Sequence, residues 1–388
     1  MVYLDHAATT PLRPEARDAW VSAAEELGNA SSIHGHGQSA RRLLEEARER
    51  LAAVAGCDPI EVVFTSGGTE ASNLAIKGLW WARAVDSDAV VLPDGEHHAT
   101  LDAVEWLASH EGAAVRSVAL DAVGRIPVDA FAQALPDAAL ATALVANNEV
   151  GTVNDAGALA AAADAAGVPL HLDAVAAFGH VPVDFRRWRA DAAPATGLVA
   201  MSLSAHKIGG PVGVGALVVS RTARISPLLH GGGQQRSLRA GTQDVAGAAA
   251  FAVAAELAEA EREAESARLT ALRERLVDGI RSSVPGAELL GDPVDRVPGN
   301  AHVLFPGARG ETLLFLLDQA GIAVSTGSAC QAGVPEPSHV VLALGRTADE
   351  AREVLRLTLG RTSTDADVDA LLREMPTAVE RARAASAH

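Results

Sequence analysis

From about residue 60 onward, short β-rich runs alternate with Ala-rich stretches of helical spacing, and no other feature restricts the fold of this 388-residue chain as strongly. The runs are 61–65, 89–93, 114–120, 141–146, 168–172, 199–204 and 214–220. Several are apolar on consecutive positions, which suits strands covered by helices on both faces rather than strands with one wet face. The expectation is an α/β fold with a large, mostly parallel sheet and helices on both sides.

The pattern changes near residue 244. Residues 244–283 carry apolar positions at helical spacing with Glu and Arg between them, long enough for one connecting helix or two in succession. Beyond them, 300–305 and 322–326 read as strands, and 311–319, 338–344 and 365–384 as helices, which makes a smaller α+β lobe. At 39.8 kDa the chain exceeds what one core usually fills. We therefore expect a large domain over 15–255 and a small one over 256–388, joined by the N-terminal segment 1–14. Segment 186–197, with its charges, proline and glycine, reads as a surface loop.

A formal charge of −17 repels phosphate backbones and anionic lipid, so no stable nucleic-acid partner and no membrane association are expected. The opening Met-Val-Tyr-Leu-Asp-His lacks the basic and apolar character of an export signal, and a cytoplasmic location is expected. Two cysteines, Cys57 and Cys330, make no disulfide framework and show no metal-ligand spacing.

Only two lysines, Lys77 and Lys207, occur in the chain. Lys77 sits on a helical stretch and reads as an ordinary surface cation. Lys207 follows an apolar run, in Ser-Ala-His-Lys-Ile-Gly-Gly-Pro. Arginine stays protonated and cannot offer a neutral amine to an aldehyde, whereas lysine can. Arginine bias alone also explains a lone surviving loop lysine, so the rest of the chain must decide.

Phe64-Thr-Ser-Gly-Gly-Thr-Glu70 leaves a strand and opens a helix. Free amides at a helix start, approachable beside Gly68 and supplemented by the Thr69 hydroxyl, form an anion cradle that fits a phosphate. A plain capped turn has the same wording. Asp173 ends the apolar run 168–172, at the edge where ligands of parallel sheets gather. It is either a helix cap or the carboxylate that keeps a pyridine nitrogen protonated, a pairing that suits pyridoxal phosphate. His97 and Asn148 follow other strands, in Glu-His-His-Ala and Asn-Asn-Glu. Cys330 lies among small polar residues (Ser-Thr-Gly-Ser-Ala-Cys-Gln-Ala-Gly), the setting of an exposed nucleophilic thiol rather than a packed one. Cys57 has no such setting and reads as structural.

With these residues in this order, the chain resembles the cysteine desulfurases of the NifS and IscS type, pyridoxal-phosphate enzymes of the class V aminotransferase group. The likeness runs nearly end to end, through Tyr3–Pro11, Gly28–Ser32, Thr65–Gly78, Glu96–Ala99, Asn147–Gly151, His206-Lys207, Gly231–Thr242, the Cys330 segment and Arg356–Gly360. The resemblance implies the fold type I architecture of pyridoxal-phosphate transferases. It implies that Lys207 holds the cofactor covalently, Asp173 faces its ring nitrogen, and His97 stacks on the ring and moves protons. Asn148 would contact the ring hydroxyl and the substrate. Gly68, Thr69, Ser204 and His206 would bind the phosphate, with Thr242 reaching it from the second subunit of a homodimer. Arg356 would clamp the carboxylate of L-cysteine, and Cys330 would take the sulfur as a persulfide and deliver it to an acceptor protein, with alanine as the other product. The Cys330 wording is similar to that of the group which delivers sulfur directly to a scaffold for iron-sulfur cluster assembly.

Two departures stand out. Where the family pattern has a glutamine bonding the ring hydroxyl, this chain has Ala176, which removes a hydrogen bond of about 1 kcal/mol unless something replaces it. The stretch between Asp173 and Lys207 is also longer than expected, with the excess in 186–197. A carbon–sulfur lyase or selenocysteine lyase on the same fold therefore stays open, because a fold does not fix its chemistry.

Overall fold

The computed structural model describes residues 1–327 and 336–386. The chain opens with a two-residue strand, β1 (Val2–Tyr3), and two helices, α1 (Pro14–Glu25) and α2 (Gly35–Ala55). The alternation follows: β2 (Val62–Thr65), α3 (Gly68–Trp81), β3 (Ala89–Pro93), α4 (His98–Glu111), β4 (Ala114–Val118), α5 (Val128–Ala134) and β5 (Ala138–Leu144). It continues with α6 (Ala156–Ala165), β6 (Pro169–Asp173), α7 (Phe185–Arg189), β7 (Gly197–Ser204) and β8 (Gly215–Val219). Next comes α8 (Val245–Ser283), then β9 (Glu288–Leu290), β10 (Asn300–Leu304), α9 (Gly310–Gln319) and β11 (Ile322–Ala323). The last described elements are α10 (His339–Ala343), β12 (Val354–Thr358) and α11 (Asp365–Ser386).

Strands β2 to β8 form one seven-stranded sheet in the order β2-β8-β7-β6-β5-β3-β4. Every neighbouring pair from β7 to β4 is parallel. Only β8 runs against its neighbours, because the short segment 205–214 returns it beside β7 without the crossover helix that a parallel pair requires. Apolar side chains cover both faces. Leu44 and Leu51 of α2, Leu159 of α6 and Phe251 of α8 pack on one side. Leu74 and Ile76 of α3, with Val104 and Leu107 of α4, pack on the other. The consecutive apolar runs have this two-sided burial as their cause.

The stretch 244–283 is one helix, α8, whose start is capped by Asp244 accepting from the Gly247 amide. Its first half, to Ala258, belongs to the large core, and Leu269, Leu272, Leu276 and Ile280 belong to a second core with β10, β12 and α11. That second lobe carries a three-stranded sheet in the order β12-β10-β9. The chain start is tied into it: β1 pairs with β11, and Leu4 is wholly buried among its apolar residues. Thr10 and Arg13 then bond back to the backbone of His206 and Gly209 in the large lobe.

Several boundaries differ from the sequence expectation. The strand expected over 322–326 ends at Ala323 because its partner β1 is only two residues long, and Ser325 instead makes an isolated bridge to Arg356. Strand β5 starts earlier than 141 and stops at Leu144 rather than 146, since Ala146 turns to pair with Val153. The segment 186–197 is partly helical in α7, and the remainder is held by Arg189, which donates to the carbonyls of Thr196 and Leu198. Among the described residues no helix is long and apolar enough to cross a membrane.

Candidate active site

The carboxyl ends of β2, β3, β5, β6 and β7 deliver their following residues to one cavity of about 410 Å³. Gly68, Thr69, His97, Asn148, Asp173, Ser204, His206, Lys207 and Arg356 all line it. Thr242 does not, and it is exposed to solvent. Cys330 lies outside the described residues, while Ser325 and Gly327, on the chain leading to it, line the cavity.

Lys207 sits on a single 3₁₀ turn after β7. Gly209 closes this turn in the left-handed region (φ 85°), where a side chain would press on Arg13 and the Pro11 carbonyl. The Lys207 Nζ donates to the carbonyls of Ala7 and Ala8. Burial, with the positive charge of Arg356 behind it, lowers the amine to about 8. Near neutral pH a usable fraction is therefore the free base, which a solvated lysine lacks. Lys77, by contrast, places its ammonium 4.5 Å over the Trp106 ring on the surface of the large lobe.

Asp173 is buried at the cavity floor, and its Oδ1 accepts from the Val175 amide at 2.9 Å. Burial raises its carboxyl to about 6, opposed by that amide bond and by the charge of Lys207. At the start of α3, Gly67 offers no side-chain cap, so the cap reading of this turn fails and the first amides stay open. A Cβ on Gly68 would sit 2.6 Å from Val175 and 3.6 Å from Ser204, closing the space at the helix start. The Ser204 hydroxyl there is buried without a partner among the described residues. Open amides, the Thr69 hydroxyl and an orphaned serine fit a phosphate group.

His97 caps α4: its Nδ1 accepts from the Ala99 amide at 3.0 Å. Burial and the charge of Lys207 lower the ring to about 4, so it is neutral with Nε2 carrying the proton. On the opposite wall, Arg356 of β12 donates from Nη1 to the Asn148 carbonyl at 3.0 Å and from Nη2 to Asp5 Oδ1 at 2.9 Å. Its Nε and the Asn148 Oδ1 have no partner among the described residues. A donor and an acceptor are thus left for ligand groups. The residues fit a phosphorylated pyridine carrying an aldehyde: cradle, carboxylate for the ring nitrogen, amine for the carbonyl carbon. Behind Ala176 lies a second cavity of about 50 Å³, lined also by Asn148, His180 and Lys207. It has room for a water molecule with polar partners at the place where the family pattern has the glutamine side chain.

Sequence reasoning missed three acids around this site. Asp5 pins Arg356. Glu149 is buried and accepts from the Ser338 hydroxyl at 2.5 Å, joining the Asn148 turn to the start of α10. Glu96 accepts from the Leu144 amide at 2.8 Å and is raised to about 8 by burial, with the negative charge of Asp173 adding to the push. The Asn-Asn-Glu and Glu-His-His wording held two of them in plain view, but their burial was not visible.

Glu96 folds as a neutral acid with a pKa above the 4.5 of its unfolded form, so folding takes up a proton. Stability then falls as pH rises from about 4.5 to about 8, by up to about 1.4 kcal/mol per pH unit from this group. Glu96→Gln has no such proton to lose. Its melting temperature should gain steadily on the native protein between pH 5 and 8 and then level off, and a pH-independent gap would mean that Glu96 is ionised in the fold.

The profile of the aminotransferase class-V family matches residues 2–371. An IscS-like cysteine desulfurase of Mycobacterium tuberculosis is 49% identical, with 100% of this chain and 98% of that protein covered. A cysteine desulfurase of Gluconacetobacter diazotrophicus is 40% identical, covering 98% of this chain and 94% of its own. A solved NifS-like protein superposes with a TM-score of 0.90 at 31% identity, over 98% of this chain and 99% of its own. A cavity fitted to a phosphorylated pyridine and a likeness that spans the whole chain lead to one statement: the chain belongs to the pyridoxal-phosphate-dependent class V aminotransferase family, within its NifS/IscS-type cysteine desulfurase branch.

Proposed function

We propose that this protein is a cysteine desulfurase that converts L-cysteine to L-alanine and keeps the sulfur as a persulfide on Cys330. What carries the reading is one cavity that holds a lysine lowered to about 8, a buried carboxylate, an open phosphate cradle and an arginine whose Nε has no partner among the described residues. The full-length likeness to named cysteine desulfurases supports it.

Bound pyridoxal phosphate supplies the electron sink that loosens bonds at the substrate α-carbon. The chain supplies the rest. Gly68, Thr69, Ser204 and His206 would hold the cofactor's phosphate, Lys207 would offer its amine to the aldehyde carbon and carry a proton on Nζ, and Asp173 would face the ring nitrogen. Arg356, already oriented by Asp5 and the Asn148 carbonyl, takes the cysteine carboxylate. The neutral His97 accepts or returns a proton at the cavity wall. The Cys330 thiolate attacks the substrate sulfur: an S–S bond forms, the substrate C–S bond breaks, its electron pair stays with the carbon skeleton, and that carbon takes up a proton before the skeleton leaves as alanine.

The active form we propose is a homodimer, because Thr242 lies outside its own cavity and would serve the phosphate of the second subunit. The sulfur then passes to an acceptor protein. The setting is the reducing cytoplasm, where the nucleophilic thiol is maintained.

Mass spectrometry after exposure to L-cysteine tests the reading. One added sulfur on Cys330 is expected, with alanine formed alongside. Cys57 is the internal control: it is buried and its thiol is pushed up to about 12, so it should stay unmodified. Sulfide release with no sulfur on the protein would point to the lyase reading instead.

A further inference from the structure

The described chain on both sides of the Cys330 segment is fastened to residues that wall the cavity. Upstream, Ser325 forms a backbone bridge with Arg356, and its hydroxyl accepts from the Gly327 amide at 3.0 Å. Gly327 lies in the left-handed region (φ 88°), and a Cβ there would come within 2.9 Å of His302 Cε1 and 3.2 Å of Glu149 Oε2. Downstream, the wholly buried Ser338 makes three bonds. Its hydroxyl donates to Glu149 Oε2 at 2.5 Å and accepts from the Val341 amide at 3.1 Å, and its own amide donates to the Ala351 carbonyl at 3.1 Å. The next residue, His339, donates from Nε2 to the Glu96 carbonyl at 2.9 Å, and its ring meets that of His98 edge-on at 5.0 Å.

Helix capping explains only part of this. A cap needs an acceptor for the Val341 amide, which serine, threonine, aspartate or asparagine supplies equally. The Ser338 hydroxyl proton goes instead to a carboxylate that is itself only 1% exposed and stands on the turn after β5, in the large lobe. Burying that acid is costly unless its partners repay it. Docking of the lobes does not require it, because Val150 already shares an apolar cluster with Val340 and Val341. Glu149 and Glu96 have a placement in common: each stands one residue from a side chain that lines the cavity, Asn148 and His97. A displacement of either turn is therefore passed to the start of α10, and the Gly327 end lies against the same Glu149 carboxylate.

We propose that Glu149 and His339 are positioning residues for sulfur transfer: through Ser338 and the Glu96 carbonyl they fix the Cys330 segment to the turns that carry Asn148 and His97, and so hold the thiol at high effective concentration near the substrate sulfur. This rests on the role proposed for Cys330 above. A misplacement of about 1 Å in a reacting group can cost about 100-fold in rate, so anchors that touch no reacting atom still bear on the step.

The test compares the loaded native enzyme with Ser338→Ala and His339→Ala. In both, L-alanine should perturb the visible band at a half-saturation little changed from native, because the cavity keeps its lining. Single-turnover formation of the Cys330 persulfide from L-cysteine should slow by about 10-fold or more. Ser338→Thr and His339→Gln, which keep a side-chain donor, should stay near the native rate. Ser338 is buried, so His339→Ala, at a half-buried position, carries the test alone if the serine variant fails to fold. Alkylation of Cys330 by iodoacetamide, followed by mass spectrometry, reads the anchoring without any desulfuration. It should quicken a few-fold in the alanine variants, since a segment with an untied end samples more conformations, while Cys57 stays unmodified. In an enzyme that forms the persulfide, a persulfide rate unchanged in the alanine variants overturns the proposal, as does a loss that the conservative variants share. Alkylation that is unchanged in the alanine variants overturns it as well. Faster alkylation in a protein that gains no sulfur from cysteine supports the anchoring and sinks only the functional reading.

Discussion

Lys207→Ala should abolish the visible band formed on adding pyridoxal phosphate and lower desulfuration of cysteine by at least about 1,000-fold, the range lost with a nucleophilic or acid–base group. Lys207→Arg is the sharper variant. It keeps length and positive charge, so the bonds to the carbonyls of Ala7 and Ala8 and the field felt by Asp173 survive. Guanidinium gives no neutral amine, so this variant should be as inactive as the alanine one. A small added amine should restore part of the band in Lys207→Ala and none in Lys207→Arg, where the space is filled. In the native protein the rate of reaction with the aldehyde should rise with pH and flatten above about 8, where the amine is mostly free base. Activity in Lys207→Arg above one tenth of native would sink the amine role, whatever the charge does.

The large lobe was legible because two-sided burial writes itself into consecutive apolar positions, as in 89–93 and 199–204. Gly68, Thr69, His97, Asn148, Asp173, Ser204, His206 and Lys207 were legible because they lie at or just after strands that end at the same edge of one sheet, whereas Arg356 comes from β12 of the smaller sheet. What stayed hidden depends on partners distant in sequence. Thr142 and His171 are 29 positions apart, and Ser72 and Ser202 are 130 apart. A histidine inside an apolar run looks like an exception until the strands align. Asp5 and Arg356, 351 positions apart, meet only because β1 joins the far lobe. Strand ends were misplaced for a related reason: β11 stops where its two-residue partner stops, which its own residues do not reveal.

Asp173→Asn should lower kcat by about 100- to 10,000-fold while leaving the KM for cysteine within a few-fold, the loss expected when a group acts on charge that develops during reaction. Arg356, which binds the substrate carboxylate in this reading, is held by Asp5 and the Asn148 carbonyl, neither of which the substitution touches. Asparagine keeps the size and the acceptor oxygen for the Val175 amide, so the fold should hold and the loss should be electrostatic. Two side effects have fixed signs. The Asp173 charge helps to raise Lys207, so its removal should push that amine below about 8 and start the aldehyde reaction at lower pH. The same charge helps to raise Glu96, so its carboxyl should fall from about 8 toward its ordinary range, and the alkaline loss of stability that Glu96 imposes should shrink. An enzyme with reduced kcat but no movement at either group would mean that Asp173 is protonated in the resting protein. In that case the ring nitrogen is not held by a carboxylate, and the electron sink must be set by something other than this acid.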